Sequence, residues 1–344
     1  MSAEKPPLAF SKKMEDLIPY FIMGLFILIV QAGSLWLSAT EYISNMPTFE
    51  NPESIGYSVY YIVIILIFTA LIIYLIKTKT TFIIRGIIYI SITMTLYYVF
   101  TALLAKAFGL TDFTPIFSIG AALIISLLLY KYPEWYVIDF AGLMISIGAC
   151  TVIGVSLSYV PIIVLMIGLL IYDFISVYKT KHMLTLANGM MDMKLPILFV
   201  IPKKWNYSYI NDISDDENNI ENTETPLKEQ ENGNVQAAES PIAESSAAGI
   251  KKRKSDALFM GLGDAVIPTL LVISSNRFIE HSGWISMPAL YTMIGTFAGF
   301  AVLMYVVSRG NPQAGLPFLN TGAILGFAAG VLISGAAVSF SLGF

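Results

Sequence analysis

Apolar residues fill this chain in long unbroken runs, and polar residues gather between them. A hydrocarbon core of roughly 30 Å needs about 20 apolar residues in a helix. On that measure the runs at 17–39, 55–76, 86–104, 115–130, 135–157, 159–178, 257–275, 284–307 and 316–340 predict nine membrane-crossing helices. The fifth and sixth nearly touch, and Ser158-Tyr159-Val160-Pro161 predicts a tight turn between them, because proline suits a first helical turn. The expected fold class is therefore all-α, a polytopic membrane protein of about nine transmembrane helices. Three parts follow: residues 1–178 as a six-helix half, 179–256 as a loop, and 257–344 as a three-helix half.

Composition agrees with the pattern. Charged residues make up 13% of the chain, about half the share usual in soluble domains. The mean hydropathy is +0.71. Basic residues set the orientation. With the N-terminus inside, 18 of the 20 Lys and Arg fall on the inner side, and only Lys106 and Arg277 lie outside. With the long loop discounted, the short segments still favour a cytoplasmic N-terminus and an outer C-terminus. No cleavable leader is evident, since the first apolar run is long enough to span.

The loop is itself patterned. Residues 184–201 are apolar and rich in methionine, broken by Asn188-Gly189 and Pro196, and read as a membrane-skimming or substrate-contacting segment. Residues 206–248 carry ten carboxylates against the single Lys228. Such a stretch is expected to stay without fixed structure, having too little apolar surface to order itself. Lys251-Lys252-Arg253-Lys254 then reads as a stop at an anionic membrane face, not as a nucleic-acid contact. Cys150 is the single cysteine, so no internal disulfide can form. His182 and His281 lack metal-ligand spacing. No metal and no cofactor are expected.

Two carboxylates break the apolar pattern where they are costly. Asp173 lies near the end of the sixth run and Asp264 inside the seventh. A carboxylate at membrane depth costs roughly 2.5–3.5 kcal/mol on insertion scales. Asp173 stands six residues before Lys179, and Asp264 seven residues past Ala257. At 1.5 Å per helical residue both lie about 9–10 Å below the same face. Antiparallel neighbours would then set the carboxyls opposite one another. Gly261 and Gly263 clear side chains from the approach to Asp264. Pro268, four residues on, clashes with the Asp264 carbonyl and is expected to kink the helix there. Tyr172 could offer a hydroxyl, although adjacent residues on a helix point apart. Asp139, four residues into the fifth span, reads as an interfacial carboxylate.

Tyr172-Asp173 in one span and Gly261-Leu262-Gly263-Asp264 in the next, within about nine spans, resemble the presenilin and signal peptide peptidase intramembrane aspartyl proteases of the GxGD type. As a bare tetrapeptide the glycine pattern says little; in this context it is specific. The family's Pro-Ala-Leu motif opens its last span beside the catalytic centre. Pro288-Ala289-Leu290 matches those letters but opens the eighth span at the outer face. The matching position is Gly315-Leu316-Pro317-Phe318-Leu319-Asn320, with Phe318 in place of the alanine. The inner N-terminus makes the chain most like a microbial, archaeal-type presenilin homologue.

The resemblance implies peptide hydrolysis inside the membrane. Two close carboxyls cannot both ionise easily and titrate as a coupled pair. Asp173 and Asp264 are the expected general acid and base on a shared water. Tyr172, Gly261, Leu262, Gly263, Pro268, Pro317, Phe318 and Leu319 are expected to support the site or the substrate. Pro317 and the 184–201 segment are candidates to give an extended substrate backbone a partner edge. The expected partners are transmembrane helical peptides with an outer N-terminus and the lipid bilayer, in a microbial plasma membrane. Self-association as a homo-oligomer is left open. The competing class is a proton- or cation-coupled transporter or leak channel, since paired intramembrane aspartates also make relays. No inverted repeat of the kind transporters show is evident in the sequence.

Overall fold

In the computed structural model, the residues described are 18–44, 49, 51–78, 81–109, 111–175, 198–203, 207–209, 257–308 and 315–336. Their principal helices are α1 (Ile18–Ser38), α2 (Ile55–Lys77), α3 (Thr81–Phe108), α4 (Thr114–Lys131), α5 (Trp135–Ser156), α6 (Tyr159–Ile175), α7 (Leu262–Phe278), α8 (Met287–Ser308) and α9 (Gly315–Ser334). One further turn of helix spans Glu41–Ser44. Helices are what such apolar runs must form, because hydrocarbon offers no partner to an unpaired N–H or C=O. Seven of them are long and apolar enough to cross a membrane. The other two, α6 and α7, have 17 residues each, and they carry Asp173 and Asp264.

The centre of the bundle is α5, packed against α1, α3 and α7, with α7 also touching α1, α6, α8 and α9. By contrast only 6% of the apolar window of α2 is buried, against 56% for α5, so α2 hangs on the rim. Hydroxyl and amide groups tie helices together in place of hydrophobic force, which is weak between helices in lipid. Ser34 donates to the Ile147 carbonyl at 3.3 Å, joining α1 to α5. Ser58 donates to Pro161 at 2.6 Å, joining α2 to α6. Asn320 donates to Met166 at 3.4 Å, joining α9 to α6.

Glycines bring α8 and α9 together backbone to backbone. Gly295 and Gly299 face Gly322, Phe318 and Gly326, and Gly326 also lies against the Tyr291 carbonyl. Spacing by four residues puts these glycines in one row on each helix. Gly326→Val therefore drives a side chain into backbone that cannot yield. It is expected to lower stability by about 1–3 kcal/mol, read as a lower thermal midpoint in detergent. Gly120→Ala, with nothing within 4 Å of the added carbon, is the neutral control.

The seventh predicted span begins differently from expectation. Ala257–Gly261 is a strand, β2, paired antiparallel with β1 (Leu198–Pro202), and α7 starts only at Leu262. Leu198 stands opposite Gly261, Val200 opposite Phe259 and Pro202 opposite Ala257. The Val200 N–H donates to Asp139 on α5 at 2.7 Å, so it points away from β2. In an antiparallel ladder the direction alternates; Phe199 and Ile201 therefore face β2, while Ala257, Phe259 and Gly261 face out from its far edge. Phe199 and Ile201 are fully buried in the central core.

Asp139, expected at the interface, is covered by β1 and 4% exposed. Residues 207–209, expected within an unstructured loop, are packed as well. Tyr209 is buried with Ile138, Val200 and Ala257, and its N–H donates to Glu134. Two tyrosines supply the apolar surface that the rest of 206–248 lacks. The expectations for the remainder of 206–248, for the methionine-rich 184–197, for Lys251–Lys254, and for the ends of the sixth and ninth spans past 175 and 336 lie outside the described residues.

Candidate active site

α6 and α7 pack against one another. Asp173 sits in the last turn of α6, 4% exposed. Asp264 sits in the first turn of α7 and is half-buried. Their carboxyls lie within electrostatic range of each other, and no hydrogen bond joins them. Nothing near them among the described residues is a cation, and no group of three or more His, Cys, Asp or Glu there could hold a metal ion.

The start of α7 explains how Asp264 is held. Gly261 is the N-cap, in an extended conformation with φ −63° and ψ 136°, and offers no side chain to the orphan N–H groups of the first turn. Asp264 is the third helical residue, the position from which an acidic side chain reaches back to the N-cap N–H. Here its carboxyl lies back over the N-cap: a Cβ on Gly261 would stand 3.5 Å from Asp264 Oδ2. The first-turn N–H dipoles also suit an anion at this place. Because Ala257–Gly261 is extended, Asp264 stands at the mouth of its helix, not two turns inside it as a continuous helix from Ala257 would have put it.

The third wall comes from α9. A Cβ placed on Gly315 would lie 2.8 Å from Asp264 Oδ2, 3.0 Å from Cγ and 3.1 Å from Oδ1. The glycine leaves the carboxyl its space. So the segment Gly315–Asn320 starts beside Asp264 at Gly315, while Pro288 lies against Gly330 at the other end of α9. The Asn320–Met166 bond holds this same helix to α6 two turns before Asp173.

The other candidates have varied places. Leu262 packs toward Gly142 of α5, where an added Cβ would meet its Cδ2 at 3.0 Å. Gly263 is exposed. Pro268 is buried inside α7, so the Asp264 carbonyl lacks its usual i+4 donor. Leu319 is buried in the central core and Phe318 packs against it. Tyr172 makes no hydrogen bond to Asp173. Pro317 lies within the first turn of α9, so it offers a helical start and not the extended edge expected of it. Sequence reasoning missed the contact of Gly315 with Asp264 and the bond from Val200 to Asp139. A carboxylate four residues into an apolar run was the signal for the second; nothing local signalled the first.

The comparisons with known proteins fall into place on this geometry. Residues 23–336 match the family model for signal-peptide peptidase, presenilin aspartyl protease. Two solved structures of a presenilin family intramembrane aspartate protease, in space groups C222 and P2, are each 32% identical to the chain. The first covers 92% of this chain and 99% of its own, with a TM-score of 0.62. The second covers 90% and 96%, with a TM-score of 0.60. The chain matches no curated protein sequence. The chain belongs to the signal-peptide peptidase, presenilin aspartyl protease family. It is a multi-pass membrane protein and an intramembrane aspartyl protease that acts on transmembrane helices, and the comparisons give no support to a transporter or channel.

Proposed function

We propose that Asp173 and Asp264 are the acid and base of this protease. The observation that carries the reading is their convergence: two intramembrane carboxyls, from adjacent helices, stand within each other's field at one end of the bundle. One aspartate, ionised, takes a proton from water as the water attacks the scissile carbonyl carbon. The other, protonated, donates a hydrogen bond to the carbonyl oxygen. A tetrahedral diol forms. Proton transfer to the nitrogen lets the C–N bond break, giving a carboxylic acid and an amine. Gly261 and Gly315 are the supporting positions, both leaving space beside the Asp264 carboxyl. Residues 1–178 and 257–344 supply one aspartate each, joined through the 179–256 loop.

A helical peptide bond is shielded by its own backbone hydrogen bonds, so the substrate helix unwinds before it is cut. Its extended backbone needs an edge. On the outer edge of β1 the Val200 N–H is already bonded to Asp139 and Pro202 has no N–H, which leaves that edge poor in free donors. We assign the substrate to the outer edge of β2 at Phe259, which leads straight into Gly261 and Asp264. The basic residues favour a cytoplasmic N-terminus, an outer C-terminus and a plasma-membrane setting, and substrates whose N-terminus lies outside.

The direct test of convergence is a cross-link. In a Cys150→Ser background, cysteines at 173 and 264 are expected to join through a short bifunctional thiol reagent, closing one molecule on itself. No intramolecular product, in a protein that still folds, removes the basis of the assignment.

A further inference from the structure

Asp139 is an intramembrane carboxyl that the hydrolytic reaction does not use. It lies on the second turn of α5, and its Oδ1 accepts the Val200 N–H at 2.7 Å. Its Oδ2 is buried and makes no hydrogen bond among the described residues. Five residues earlier, Glu134 holds the next part of the same chain: Ser208 donates to its Oε1 at 2.8 Å and Tyr209 N–H to its Oε2 at 3.2 Å. So two carboxyls on the start of one helix grip β1 and the residues after it. The grip falls on the outward edge of β1, and among the described residues β1 is the ladder partner of β2. β2 in turn ends at Gly261, beside which the Asp264 carboxyl lies, its Oδ2 3.5 Å from where a Gly261 Cβ would stand. A continuous path thus runs from α5, by the Asp139–Val200 bond and the β1–β2 ladder, to Gly261 and the mouth of α7.

We propose that Asp139 is a positioning residue of the protease: by accepting the Val200 N–H it fixes the β1–β2 sheet on α5, and the sheet fixes Asp264. This rests on the assignment of Asp264 to the catalytic pair. What the position requires is an acceptor oxygen, not a charge.

The test uses the full chain in detergent or liposomes, with two readouts: hydrogen–deuterium exchange over 198–203 without substrate, and cleavage of a single-span substrate. Asp139→Leu keeps the size and removes the acceptor. It is expected to speed exchange in 198–203 and to lower kcat/KM about tenfold or more, the scale of a buried donor left unpaired. Asp139→Asn keeps a carbonyl oxygen for Val200 and is expected to restore both toward wild type. Wild-type exchange or wild-type kcat/KM in Asp139→Leu overturns the proposal, and so does equal damage in Asp139→Asn. If Asp139→Leu does not fold, Asp139→Asn decides: near-normal exchange and activity support the acceptor role, and loss of either refutes it. Because exchange is read without catalysis, failure here is separable from failure of Asp173 or Asp264 as the catalytic pair.

Discussion

Asp173→Ala and Asp264→Ala are each expected to remove cleavage of a single-span substrate, by about 10³-fold or more. General acid–base groups contribute on the order of 10²–10⁴-fold each, and here the two act on one water. Groups that act as a unit lose their effect together. The double variant is therefore expected to be no slower than either single one. Asn at either place is expected to fare little better, since an amide neither takes the water's proton nor gives one to the leaving nitrogen. Folding should move the other way. A buried carboxyl at membrane depth costs roughly 2.5–3.5 kcal/mol on insertion scales, so the alanine variants should melt at the same temperature as wild type or above it. Activity is read from the rate of product release, and folding from the thermal midpoint. Cleavage that survives either single substitution would remove that residue from the mechanism; loss of both activity and folding would leave neither residue assigned a chemical role.

The residues that can be predicted this way were visible in the sequence for a simple reason. A carboxylate in an apolar run is rare enough to stand out, and Asp173 and Asp264 both interrupt such runs. Helix limits were legible on the same basis. Trp135 begins α5 and Tyr159 begins α6 where the runs begin, and Pro161 falls in the first turn of α6. The strands were not legible. Ala257–Gly261 is apolar throughout and short, and periodicity cannot separate strand from helix in such a run. What decides it is Leu198–Pro202, more than fifty residues earlier, which supplies the ladder. Gly261 and Gly263 add to the bias, being poor in helices. The fate of Asp139 hangs on the same pairing. With no β1 across it, a carboxyl four residues into a span would reach the interface; with β1 there, it is buried and bonded. Long-range contacts of this sort leave no local trace.

Gly315 is the clearest example of such a contact, and Gly315→Ala is expected to have the next largest effect on the reaction. The added carbon would stand 2.8 Å from Asp264 Oδ2 and 3.0 Å from Cγ, nearer than side-chain carbons pack. One of the two must move. α9 is restrained on its other faces by the close glycine contacts to α8 and by the Asn320–Met166 bond. Asp264, a side chain in the first turn of α7, is the freer partner. A carboxyl turned away from Asp173 binds the substrate as before but reaches the water poorly. Misplacement by about 1 Å can cost on the order of 10²-fold, so kcat should fall by about that factor while KM changes little. Gly315→Val should be worse again, because its branches extend the same clash. Gly120→Ala gives the contrast, since nothing lies within 4 Å of its added carbon and it stands on α4, away from the aspartates. It leaves Asp264 in place, and its kcat should stay near wild type. Steady-state cleavage by the three variants, with thermal midpoints alongside, distinguishes a displaced carboxyl from a damaged fold. Equal kcat in Gly315→Ala and wild type would mean that α9 does not set the position of Asp264 during turnover.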